Sequence, residues 1–160
     1  MGSKMGPEEV LGAHRHFAIE CNNNAWSLVE ASSVEAQRDE LLDLAHASAL
    51  HWRAIGTDLE KMRATMLLAN VHAALGLSTS AMNYAQQMRT YFLGHATTPD
   101  WEIAFVHTIH ARACACAGNE EGHADSYAKA QSAIAAIADP QDRAIVVVTF
   151  EQVPKPRLTS

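Results

Sequence analysis

Apolar positions recur along most of the chain at spacings of three and four, the period of a helix with one buried face. Val10, Leu11, Phe17, Ile19, Trp26, Leu28 and Val29 predict a first helix from Pro7 to about Glu30, with proline and two acids in its first turn. Three asparagines at 22–24 weaken it locally, since asparagine is a poor helix former. Ser32 and Glu35 have the spacing of a capping box and open a second helix. Leu41, Leu42, Leu44, Ala45, Ala49 and Trp52 carry it to Ile55, and Gly56 stops it. A third helix runs from Thr57 or Asp58 to Gly76, and a fourth from Ser78 or Ser80 to Gly94. After the loop "HATTPD", Asp100 caps a fifth helix that ends at Gly118. Asn119-Glu120-Glu121 opens a sixth, "DPQDR" breaks it, and a short last segment starts at Pro140. The run Val146-Val147-Val148 has strand propensity, but no partner strand occurs elsewhere, which favours a helical end. The fold class is therefore all-α, with six to seven helices in three antiparallel hairpins. Residues 1–6 read as a disordered lead or cloning remnant, 7–150 as one domain, and 151–160 as a flexible tail.

Composition sharpens this picture. A chain of 160 residues can hold one real core. Hydrophobic residues make up 48% of it but aromatics only 6%, and alanine fills the difference. Alanine favours helix and lets helix backbones approach closely. The net charge is −6 with histidines neutral, and no basic stripe is present to neutralise phosphates, so nucleic acid is excluded as the expected partner. No apolar run approaches the roughly 20 residues needed to span a bilayer. Cys21, Cys114 and Cys116 form no CxxC pair and suit a reducing compartment. "MGSKMGPEEV" has no apolar stretch of the secretory kind. The expected location is cytoplasmic.

The hairpins repeat weakly. Ala81-x-x-Tyr84-Ala85 in the fourth helix matches Ala124-x-x-Tyr127-Ala128 in the sixth, 43 residues on, and Leu41-x-x-Leu44-Ala45 fits 40 residues earlier. Gly76 matches Gly118 at a spacing of 42. The stretch "LLANVHAALGLSTSAMNYAQQM" resembles a tetratricopeptide repeat (TPR), with Ala69 as the small residue of the first helix, His72 in an aromatic position, Gly76 at the turn and Ala81 five later. Ala111, Gly118, Ala124 and Tyr127 fit the same pattern with one extra residue in the turn, so the resemblance covers about residues 60–138. The period exceeds the family's usual value of about 34 residues, Thr65 and His107 stand at its early tryptophan position, and no repeat-ending proline follows Met88.

The resemblance implies a short TPR-like solenoid or bundle, whose inner face is lined by the first helix of each hairpin. Those positions fall on Arg63, Met66, Asn70 and Ala73, then Phe105, Thr108, Arg112 and Ala115. Arg63, Met66, Asn70, Thr108 and Arg112 are the expected contacts of a peptide or partner helix. Met66 stands where the family's carboxylate clamp has lysine, so capture of chaperone tails is not implied. A short array with apolar ends also suits a homodimer.

Chemical motifs are few. In "HASALHW", residues 46–52, register places His51-Trp52 on Tyr91-Phe92 and on Ile134-Ala135, a packing slot. Trp52 is then core and His51 half-buried beside a partner, while His46 falls on Gln86 and Lys129, a solvated face. His107 and His110 have the i, i+3 spacing that can ligate a metal; with His51 they are the candidates for a histidine-lined metal or catalytic cleft. His14 and His16 point apart on a helix. Glu120-x-x-His123 is a single Glu-x-x-His at a helix start. His110 precedes Cys114 by four, so a Cys–His pair is geometrically possible. HExxH, GxSxG, phosphate-loop and dinucleotide fingerprints are all absent from the sequence. The expectation is a non-catalytic interaction protein without metal or cofactor. The alternatives are the histidine cleft, and a small-molecule sensor with an apolar pocket near Trp26, Trp52 and Trp101.

Overall fold

The structure, a computed structural model, describes residues 4–31 and 34–157. It contains seven α-helices among the described residues: α1 (Pro7–Val29), α2 (Arg38–Ile55), α3 (Asp58–Ala74), α4 (Ser78–Leu93), α5 (Asp100–Cys116), α6 (Glu120–Ala136) and α7 (Pro140–Phe150). A 3-10 turn, Val34–Gln37, precedes α2. The pairs α1–α2, α3–α4 and α5–α6 are antiparallel hairpins. They stack through α2 on α3 and α4 on α5, with α1, α3, α5 and α7 forming one row. No helix among the described residues is long and apolar enough to cross a membrane.

Helix starts follow their local chemistry. Pro7 stands at the first position of α1, and the Glu9 carboxylate accepts from the Gly6 N–H at 2.7 Å. Glu60 does the same for the Thr57 N–H at 2.8 Å at the head of α3. Asn119 and Asp139 cap α6 and α7 with their side-chain oxygens. Two expected starts differ. Ser32, half of the expected capping box, lies outside the described residues; Glu35 pairs with Arg38 at 3.2 Å, and α2 itself begins only at Arg38. Asp100 is not the cap of α5 but its first helical residue, after Pro99. Its carboxylate accepts from the Trp101 N–H at 2.7 Å and from the Ala138 N–H at 2.9 Å, tying α5 to the α6–α7 connection.

The core divides between two sets of seams. One, between α1, α2 and α3, holds Ala18, Ala25, Leu41, Ala45, Ala49, Trp52 and Leu67. The other, centred on α4 and α5, holds Ala81, Ala85, Met88, Phe92, Ala104, Ile109 and Ala113, and reaches Ile134 and Val146. Buried alanines on facing helices are what let these seams close tightly.

The repeat register of α6 is one residue away from the A-x-x-Y-A match. Ala124, Ala128 and Ala135 are exposed, while His123, Ala130 and Ile134 are buried, each 42 residues after Ala81, Met88 and Phe92. The period of 42 is the one between Gly76 and Gly118, so no extra residue sits in that turn. The packing slot is therefore Trp52, Phe92 and Ile134 in the three hairpins.

The segment after α7 also differs from a loose tail. Val153 is buried, and the His123 Nε2–H donates to the Pro154 carbonyl at 2.7 Å.

Gly76 and Gly118 alone among the described residues have positive φ, at 73° and 70°. Both close the same motif: the N–H of the following residue (Leu77, Asn119) donates to the carbonyl of His72 or Cys114 at 2.9 Å. Gly76→Ala and Gly118→Ala should each lower the free energy of urea unfolding by about 1–2 kcal/mol, because a Cβ disfavours this conformation. Gly12→Ala, in an open helix-interior site of α1, should raise it by about 0.5–1 kcal/mol. Equal effects at all three positions would contradict this account of the turns.

Candidate ligand-binding cleft

The inner row of helices is not an open groove. Met66, Asn70 and Thr108 are buried. The Arg112 guanidinium donates to the Asn70 Oδ1 at 2.7 Å and to the Gln152 Oε1 at 3.0 Å, so the segment after α7 lies on this part of the face. Burial pushes Arg112 down to about 10. At the same end of the row, the Thr149 hydroxyl of α7 donates to the Glu30 carboxylate of α1 at 3.4 Å. Of the five side chains expected to grip a partner, Asn70, Thr108 and Arg112 are spent on internal packing.

Arg63 and Met66 remain, and they line a cleft of about 420 Å³. Its walls come from α1 (Asn22, Asn23, Trp26, Glu30), α5 (Trp101, Glu102, Phe105) and Ile145 of α7. Trp26 and Trp101 flank Phe105, with ring centroids 5.7 Å and 6.2 Å from it, so three aromatic rings form a continuous wall. Spacing explains the set: Asn22 and Trp26, and Trp101 and Phe105, are four apart on their helices and share a face.

An ion pair anchors the cleft. Glu102 is 1% exposed, and Arg63 meets both its oxygens, Nε at 2.7 Å and Nη2 at 3.1 Å, across α3 and α5. This bidentate contact raises the Arg63 pKa further and leaves neither Glu102 oxygen unpaired. The same guanidinium lies 5.4 Å from the Trp101 ring centroid. Glu30 is different. Burial pushes its carboxyl above the ordinary range, with the Thr149 hydrogen bond opposing, and it joins no ion pair among the described residues.

The histidine candidates do not converge. His51 belongs to the first hairpin, where its Nδ1 lies 2.8 Å from the Nδ1 of His14. Trp52 beside it is core, and His16 meets Phe17 edge to face. His110 is buried, its Nδ1 hydrogen-bonded with the Ser126 hydroxyl at 2.6 Å. His107, half-buried on α5, meets neither of them as part of a ligand set; no group of three or more potential metal ligands occurs among the described residues. Cys114 lies 3.7 Å from Nδ1 and 3.9 Å from Nε2 of His110, nearly equidistant. Both distances are long for a hydrogen bond that would take the thiol proton, and burial pushes the thiol up, away from the thiolate. This is packing, not a nucleophile and its base. A larger hollow of about 870 Å³ opens at the α5–α6 turn, but its histidine, His123, is held by Pro154.

One histidine contact was not legible in the sequence. His46, exposed as expected, reaches His72 across α2 and α3, Nε2 to Nε2 at 3.1 Å. Ser80 donates to the Leu77 carbonyl at 3.2 Å, so its oxygen accepts from the His72 Nδ1–H at 2.6 Å. The i, i+3 and i, i+4 spacings within one helix carry no information about such a cross-helix pair. The chain matches no family model, no curated protein and no solved structure.

Two predictions follow from these geometries. Arg63→Met leaves the Glu102 carboxylate buried without its cation and should cost on the order of 3 kcal/mol by urea unfolding, with much of the loss recovered in Arg63→Met/Glu102→Met. An unrecovered double variant would show that shape, not charge, sets the cost. Burial holds His72 and His110 at about 4, against an ordinary 6.5. Between these values the unfolded chain binds more protons, so stability is full above 6.5 and falls as pH drops towards 4. His72→Gln and His110→Gln should flatten that fall; an unchanged slope in both would remove these histidines as its cause.

Proposed function

We propose that this chain is a non-catalytic, TPR-like binding module. Its site is the cleft between α1, α3, α5 and α7, and it takes one compact apolar or aromatic molecule. The observation that carries this reading is the three-ring wall of Trp26, Phe105 and Trp101 beside Met66, in a cleft of about 420 Å³. Pockets for small ligands have this size and composition, apolar walls with a few placed polar groups. An extended peptide along the inner row is disfavoured because Asn70, Thr108 and Arg112 are already covered. The hydroxyls that pair with imidazoles, Ser80 with His72 and Ser126 with His110, do not line this cleft.

In a Trp52→Phe chain the remaining tryptophans, Trp26 and Trp101, both line the cleft. Small aromatic fragments should shift their emission saturably. Asn23→Phe, an exposed position at the cleft wall, should weaken that binding by about tenfold or more while leaving the melting temperature near the parent value. A fragment panel that never saturates, or saturation untouched by Asn23→Phe, would overturn the assignment.

A further inference from the structure

The cleft also carries information about the charge of its occupant. Its lining contains three charged side chains, Glu30, Arg63 and Glu102. Arg63 is committed: both Glu102 oxygens bind it, and Trp101 lies under its guanidinium. Its charge is offset by the buried Glu102 carboxylate before any ligand arrives. Glu30 is one helical turn beyond Trp26 on α1, and its carboxylate accepts only the long Thr149 hydrogen bond among the described side chains. The balance is one paired charge set and one unpaired negative charge, facing three aromatic rings.

Resting on the cleft assignment above, we propose that the ligand is a protonated amine with an apolar or aromatic body. The ammonium sits against the Glu30 carboxylate, and the body lies on Trp26, Phe105 and Trp101. Three features converge on this class. An ammonium supplies the counter-charge that Glu30 lacks among the described residues. Aromatic faces attract cations through the ring quadrupole, as the placement of Arg63 on Trp101 illustrates within the same wall. Asn22 and Asn23, joined by a 3.3 Å hydrogen bond at the cleft edge, add amide oxygens that can accept from N–H donors. A carboxylate ligand would instead meet Glu30 with no free cation to offset it.

The test is an isosteric series in the Trp52→Phe chain, read by tryptophan emission and by calorimetry: phenylpropylamine, phenylpropanol and phenylpropanoate. The amine should bind about tenfold tighter than the alcohol, and the acid more weakly than both. Glu30→Gln should abolish the preference, bringing the amine to the level of the alcohol. Equal affinities across the series would overturn the amine assignment and leave the cleft reading standing. An amine preference that survives Glu30→Gln would overturn the role of Glu30. No binding by any of the three, in a chain that also ignores the neutral fragment panel, would remove the cleft itself.

Discussion

A carboxylate between packed helices loses its hydration, and Glu102 lies there. The cost of desolvating it is met by one bidentate guanidinium. That requirement fixes more than two side chains. It sets α3 against α5 at the end of the row where the tail does not reach. It also holds the Arg63 side chain over Trp101, and so prevents the arginine from extending into the space that becomes the cleft. At the other end of the same row Arg112 meets no carboxylate among the described residues, only the amide oxygens of Asn70 and Gln152, and there the chain closes over it. Two arginines 49 positions apart, alike in the sequence, end in opposite environments because one meets an acid and the other meets the tail.

The alanine-rich seams make this possible. Alanines at the contacts of α1–α2, α3–α4 and α4–α5 bring helix axes close, leaving the large side chains to fill a few slots, Trp52, Phe92 and Ile134 among them. With few aromatics in the chain, three in one place on the inner row are a concentration that core packing elsewhere does without.

Much of the fold was legible from local pattern. Helix starts at Pro7, Asp58 and Pro140 and the ends at Gly76 and Gly118 follow from residue chemistry within a single turn. The α6 register failed for a physical reason: Ala124 and Ala128 resemble Ala81 and Ala85 in type, but alanine is neutral between surface and core, so an alanine match cannot distinguish the buried face from its neighbour. The larger residues could have done so, since Ile134 follows Phe92 by the same 42 residues that separate the two turn glycines. The positions expected to line the inner face on α3 and α5 divide between the cleft (Arg63, Met66, Phe105) and the covered part (Asn70, Thr108, Arg112). What covers part of it was not legible, because the contacts of Thr149 with Glu30 and of Gln152 with Arg112 join segments far apart in the chain, and periodicity speaks only of neighbours.

The histidines show the same boundary between local and global information. Nine of them in 160 residues invite a metal or catalytic reading. In the fold six of them make contacts between separate elements: His14 with His51, His46 with His72, His72 with Ser80, His110 with Ser126, His123 with Pro154. An imidazole is flat, half apolar, and carries one donor and one acceptor when neutral. It therefore fills an alanine-lined seam while satisfying a polar partner on the next helix, which a leucine cannot do and a lysine does only at the cost of burying a charge. Burial in turn holds His72 and His110 in the neutral form that this bonding needs. Helix packing thus accounts for these six histidines, while the buried Nδ1 of His107 finds no partner among the described residues, and the carboxylate of Glu30 and the three aromatic rings are left to line the cleft.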